Sequence, residues 1–161
     1  MQDVSVAGVA ADQNEAKLTV RGVPDQPGVA ARLFGAVAAA GIVVDMIIQN
    51  ASADGTTDMT FTVPRADYDK ALELVEDVAR HIGARDVRGD LDVAKVSIVG
   101  VGMRTHAGIA ARMFDVLARE GINIQMISTS EIKVSVVIDE KYLELAVRVL
   151  HQVFELDRSP A

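Results

Sequence analysis

The stretch VPDQPGVAARLF at residues 23–34 returns eighty positions later as MRTHAGIAARMF, at residues 103–114. A slide of eighty aligns Leu18–Ile47 with Ile98–Ile127 without a gap, with identities that include Gly22/Gly102, Gly28/Gly108, Arg32/Arg112, Phe34/Phe114, Gly41/Gly121 and Met46/Met126. A duplicated module constrains the fold more than any single element, because each copy must bury its hydrophobic face in the same way. Each copy reads as strand, helix, strand, strand, helix. In the first, KLTVRGV is β-rich, and Val29, Ala30, Leu33, Phe34, Val37 and Ala38 form an apolar helical stripe that Gly41 ends. IVVDMIIQN and TDMTFTV then flank ASADGT, whose Asp-Gly suggests a hairpin connection. A second helical face follows Pro64, from Tyr68 to Ile82, and a short strand around 84–88 closes the unit.

The second copy runs through KVSIVGV, a helix over 108–120, INIQMIST, IKVSVVI and a last helix carrying Tyr142, Leu145, Ala146, Val149, Leu150 and Val153. No closing strand follows that helix. DVSVAGV at residues 3–9 is strand-like and has no place in the first copy. An unpaired sheet edge is a liability, so the economical arrangement completes the second module with the N-terminal strand; the alternative is that this strand pairs in a dimer. The expected domains are residues 14–92 for the first module and 93–161 for the second, completed by 1–13. Two βαββαβ units with helices on one face of an antiparallel sheet give an α+β, ferredoxin-like fold.

Composition excludes several function classes. The formal net charge is −7 and aromatics make up 4% with no Trp. A nucleic-acid partner normally selects a basic face and stacking platforms, so neither a strand binder nor an RNA-binding ferredoxin-like domain fits. No apolar run approaches the ~20 residues of a membrane span, and Met1-Gln2-Asp3 does not resemble a secretion signal. The expectation is a soluble, cytoplasmic protein. Without cysteine there is no disulfide framework or thiol chemistry. His81, His106 and His151 never fall at metal-ligand spacing. No phosphate loop or nucleophile elbow is present, and VRGV lacks the convergent Arg and Asn of an acylphosphatase-like site. No catalytic residue and no metal ligand is expected.

The Pro-Gly turn carries the most chemistry. A helix N-terminus offers unpaired N–H groups and the positive end of the helix dipole, and so favours an anion. DQPG can hold a carboxylate on the amides of Gly28, Val29 and Ala30 while Asp25 faces an ammonium group. An α-amino acid carries both charges. The plainer reading is that Asp25 caps the helix or forms an Asx turn. Divergence between the copies tilts the balance, with Asp25 replaced by Thr105, Val43 by Asn123, Asp45 by Gln125 and Gln49 by Thr129. The apolar frame persists while the polar positions change, as in one site built from unlike halves.

These stretches, with INIQMISTSEIKVSVV above all, resemble the tandem ACT domains of the regulatory region of aspartate kinases. The likeness covers nearly the whole chain. It is shared by the separate small subunit of heteromeric enzymes and by the C-terminal part of single-chain ones. The resemblance implies feedback inhibition by threonine, often together with lysine, in the pathway to lysine, threonine and methionine. Threonine would sit between the first module of one chain and the second of its partner in a homodimer. Asp25, Gly28 and Ala30 would hold the head group. Val43, Val44 and Asp45 would line the pocket, and Gln49 would reach the hydroxyl. Ile109, Ala110, Asn123, Ile124, Ser130 and Glu131 would close it from the partner. The expected partners are that second copy, a kinase catalytic subunit or domain, and the small amino acid, with no cofactor in this chain. The second turn departs from the family's Ser-His-Pro-Gly and reads Thr105-His106-Ala107-Gly108. A tandem ACT regulator without a kinase, sensing glycine or serine, is the alternative. Locally, Gln49 and Asn123 can instead satisfy loop backbone, and Glu131 can be a solvated turn charge. Met46 and Met126 read as core, His106 as a loop residue, and Arg32 and Arg112 as solvent-facing or paired with acidic neighbours.

Overall fold

The computed structural model describes residues 5–101 and 106–154, except for the side chains of Ser5, Ala7, Val101, His106 and Ala107. Strand β1 (Ser5–Asp12) opens the chain. There follow β2 (Ala16–Pro24), α1 (Val29–Ala39), β3 (Ile47–Ala51), β4 (Thr56–Val63), α2 (Tyr68–Ile82) and β5 (Asp86–Asp90). The same order then recurs as β6 (Val93–Val101), α3 (His106–Arg119), β7 (Met126–Thr129), β8 (Lys133–Asp139) and α4 (Leu143–Val153). Two compact units result. Asn14–Leu91 make an inserted unit, and the residues up to Gln13 join those from Asp92 onward in a split unit.

Each unit is a four-stranded antiparallel sheet, β3-β4-β2-β5 in the inserted unit and β1-β6-β8-β7 in the split one. Strand β1 pairs with β6 from Ser5↔Val101 to Asp12↔Lys95, on the edge that β5 takes beside β2. The fold is α+β, with two βαββαβ sheets. Alternation decides which side each helix pair covers. In the inserted unit Leu18, Val20, Phe61 and Val63 are fully buried against Leu33, Val37, Ala71 and Val75. In the split unit Val96, Ile98, Val134 and Val136 are buried against Met113, Leu117, Ala146 and Leu150. Met46 and Met126 are buried as well.

The hydrogen-bond register revises the repeat. Leu18 lies opposite Phe61 and Val96 opposite Val136. Thr19 Oγ1 meets Thr60 Oγ1 at 3.1 Å, and Ser97 Oγ meets Ser135 Oγ at 2.6 Å. These pairs superpose only when Lys17 is matched with Lys95, a slide of seventy-eight. Gly22 therefore corresponds to Gly100 rather than Gly102. The slide of eighty holds from the first helix to the strand after it, so the second copy carries two extra residues between Val101 and Gly108.

Other expectations shift in detail. The stripe of α1 is narrower than expected, because Val29, Leu33 and Val37 are buried while Ala30 and Ala38 are exposed. Strand β3 begins only at Ile47. Thr62 holds the chain just before it, donating its N–H to Met46 O and accepting from Asp45 N and, at Oγ1, from Met46 N. Strand β5 starts at Asp86 because Gly83 ends α2 in a left-handed turn and Ala84 N still bonds back to Ala79 O. Arg112 is solvent-facing, one of the two states expected of it. It donates to Val153 O at 2.9 Å and lies 4.8 Å over the Phe154 ring, fastening the end of α4.

At the start of α2 the two units fill equivalent space differently. A Cβ on Gly89 would collide with Tyr68 Oη, so the tyrosine ring lies directly across the glycine of β5. Burial raises the Tyr68 phenol above its usual pKa, with Asp69, Asp90 and Glu76 adding to the effect. In the split unit Leu143 stands for Tyr68 and Ala11 for Gly89. Gly89→Ala should cost the inserted unit about 1–3 kcal/mol through overpacking. Tyr68→Leu/Gly89→Ala, which copies the other unit, should recover part of that loss. A double-mutant cycle by urea unfolding measures both.

Candidate functional site at the first helix turn

Helix α1 starts after Gly28, which adopts φ 91° as the N-cap. That left-handed conformation costs an L-residue with a side chain ~1–2 kcal/mol. Nothing lies within 4 Å of where its Cβ would be, so the space in front of the turn is open. Val29 N bonds to Gln26 O at 3.4 Å. The amides of Gly28, Ala30 and Ala31 therefore form the open donor set, with no acceptor among the described residues. This set replaces the expected trio of Gly28, Val29 and Ala30.

Asp25 is exposed, and no side chain caps the helix, so the capping alternative does not apply. Its backbone N–H donates to Gly55 O at 3.0 Å, tying the turn to the β3–β4 hairpin. The hairpin is itself held by Asp54, whose carboxylate accepts from Thr56 N and Oγ1 and is pulled below its usual pKa by those bonds. Gln49 is exposed on β3 opposite Met59, near the end where Ala51 meets Thr57. Asp25, Gly28, Ala30 and Gln49 thus gather at one end of the sheet. Val43, 68% exposed, with half-buried Val44 and exposed Asp45, precedes the other end of β3.

In the split unit Ile109 is a core residue and Ala110 and Ile124 pack against that core. Their side chains therefore serve packing within the unit. Asn123, Ser130 and Glu131 are exposed. Ser130 and Lys133 exchange backbone bonds of 2.7 and 3.5 Å across a tight turn. Helix α3 begins at His106, so Gly108 lies inside it rather than before it. The left-handed N-cap of α1 is not repeated at Gly108. Thr105 and the His106 side chain lie outside the described residues.

Both units present an uncovered edge strand on their helix side. Ile47 lies opposite buried Phe61 yet is 54% exposed, and Ile127 lies opposite buried Val136 yet is 43% exposed. Among the described residues no cluster of His, Asp or Glu could hold a metal, and no helix is long and apolar enough to cross a membrane.

The sequence profile of the ACT domain matches residues 18–78 and 96–154. A chain in the crystal structure of aspartokinase alpha and beta subunits is 62% identical, with a TM-score of 0.89, and the match covers 94% of this chain and 99% of that one. The chain belongs to the ACT-domain family, as a regulatory region of the aspartate kinase type. The regulatory subunit of aspartate kinase from Thermus thermophilus is 45% identical, with a TM-score of 0.88 over 93% of this chain and 99% of that one. The aspartokinase of Pseudomonas aeruginosa is 64% identical over 157 residues, 98% of this chain. The chain spans 38% of the length of that relative, so the ACT region matches a part that excludes most of the enzyme.

Sequence reasoning missed the residues that set this ACT turn in place. Asp58 Oδ1 accepts the Gly22 N–H at 2.8 Å, at the irregularity between Val20 and Val23. One residue earlier, Arg21 grips Asp86 through Nε to Oδ1 at 2.7 Å and NH2 to Oδ2 at 2.5 Å. No local pattern joins residues so far apart. Hydrogen bonding from Arg21 lowers the Asp86 pKa, and the Arg21 value rises correspondingly. The folded carboxyl therefore releases its proton more readily than the unfolded one, near pH 4. Its stabilisation is complete above that pH and is lost as pH falls through the depressed folded value. Asp86→Asn should be less stable than the parent at neutral pH, and urea unfolding should show the gap closing in acid.

Proposed function

We propose that this ACT pair is the amino-acid sensor of an aspartate kinase and binds threonine, often together with lysine, for feedback inhibition of lysine, threonine and methionine synthesis. The observation that carries the reading is the α1 turn, with open amides beside the exposed Asp25 carboxylate. A zwitterion satisfies both at once, its carboxylate on the amides at the positive end of the helix and its ammonium on Asp25. Gln49 supplies an amide for a side-chain hydroxyl. Val43, Val44 and Asp45, which precede the far end of β3, would extend the same protomer's share of the pocket along that strand.

The second half of the pocket would come from a partner copy, through Ile109, Ala110, Asn123, Ile124, Ser130 and Glu131. Two uncovered edge strands bearing Ile47 and Ile127 favour such an assembly, since pairing them would satisfy open backbone groups and bury both isoleucines. Ligand held between two chains strengthens their association by linkage. It also favours one arrangement of the dimer, by its differential affinity, over the one a kinase partner needs. Coupling of ~1–3 kcal/mol is typical of such control. Phosphoryl transfer would belong to that partner.

Calorimetric titration with threonine, alongside sedimentation velocity, tests the reading. Saturable binding with ligand-strengthened dimers is expected. Asp25→Ala and Gln49→Ala should each weaken binding about tenfold or more, as loss of a charge-assisted or buried hydrogen bond does. A folded dimer that ignores threonine, alone and with its kinase partner, would sink the idea.

A further inference from the structure

The split unit has a cavity of about 510 Å³ between β1 and α4, lined by Ala11, Leu143, Glu144, Val147, Arg148 and His151. Its volume is that of a small-molecule site. It has an apolar floor of Ala11, Leu143 and Val147. Glu144 and Arg148 sit one helical turn apart, the spacing at which opposite charges ordinarily pair. Here they do not pair, and neither has an ion-pair partner among the described residues. A carboxylate and a guanidinium thus flank an apolar space, with no ion-pair partner for either among the described residues.

The duplicated module provides an internal control. Register and burial match Tyr68, Asp69, Leu72, Glu73 and Glu76 of α2 with Leu143, Glu144, Val147, Arg148 and His151 of α4. In the inserted unit the tyrosine ring occupies the space over Gly89, and the three ionisable positions that follow are all carboxylates. At these matched helix positions, only the split unit carries charges of both signs, over a space that no tyrosine ring fills. Loss of the aromatic plug and gain of Arg148 fall at the same place.

From this we infer that the split unit carries a second small-ligand site, for an α-amino acid with a large apolar side chain, branched or aromatic. The ligand ammonium lies on Glu144 and its carboxylate on Arg148. Its side chain lies over Ala11, Leu143 and Val147. The zwitterion inserts into the Glu144–Arg148 gap and completes an ion pair at each side. Threonine is too small to cover the floor, so the two sites differ in ligand. This inference rests on α4 and β1 alone and stands or falls separately from the reading of the α1 turn.

The test is a backbone-amide NMR titration of the whole chain with L-leucine and L-phenylalanine. Saturable shifts confined to β1 and residues 143–151 are expected, with threonine leaving those signals in place. 4-Methylpentanoate and 3-methylbutylamine each keep the leucine side chain and one charge, and each should bind at least about tenfold more weakly. Arg148→Met and Glu144→Gln, both at exposed positions, should weaken leucine binding to a similar degree. Val147→Phe should fill the space and abolish it. If that variant fails to fold, the two exposed substitutions carry the test. Absence of saturable shifts at α4, equal binding of the singly charged analogues, or unchanged affinity in Arg148→Met overturns the inference.

Discussion

At the middle of each sheet the two central strands meet through a pair of hydroxyls, Thr19 with Thr60 and Ser97 with Ser135. A slip of one residue in a strand turns every side chain to the opposite face. Such a slip would expose Leu18, Val20 and Phe61 in one unit and Val96, Ile98 and Val136 in the other, and leave the helices nothing to pack on. The Ser97–Ser135 pair is nearly inaccessible to water, so a shifted register would also strand buried hydroxyls. The position of α1 over the sheet, and hence of its first turn, depends on this register. So does the place where β3 ends beside it.

On that shared frame the two units differ at their helix starts. In the inserted unit a left-handed glycine stops the helix short and leaves amides open. In the split unit α3 begins upstream and absorbs the equivalent glycine. The difference at α2 and α4 runs the other way, since there the inserted unit is plugged by Tyr68 and the split unit is open. Duplication has preserved the apolar scaffold while each copy keeps one of two recesses accessible. Unlike halves are what a regulator needs if one ligand is to bind in a single orientation.

The helices and the ACT-type sheets are legible in the sequence because both rest on periodicity, which a sequence displays directly. Gly28 and its turn are legible because a Pro-Gly pair set just before an apolar stripe marks the place where a helix opens. The strand alignment is legible only to within two residues. The identity of Gly22 with Gly102 favours an unbroken slide, whereas pairing across the sheet matches Gly22 with Gly100. Pairing is a non-local property, decided by residues 61 and 136. The same non-locality hides Asp58, Asp86 and Thr62, whose contacts with the chain near the turn depend on partners far away in sequence.

Strand β1 is made before its partner β6, which follows only after the whole inserted unit. A flexible connection of that length adds about 2 kcal/mol of closure entropy relative to a short loop. Lys17 and Asp90, near the two ends of the inserted unit, sit opposite each other on adjacent strands. Once folded, that unit delivers Asn14 and Leu91 to neighbouring positions, and the long connection behaves as a short one. Folding of the inserted unit therefore shortens in advance the search that β1 must make for β6. Anything that keeps the inserted unit folded, a bound effector included, also makes the split unit's sheet easier to close, a coupling carried by chain connectivity alone.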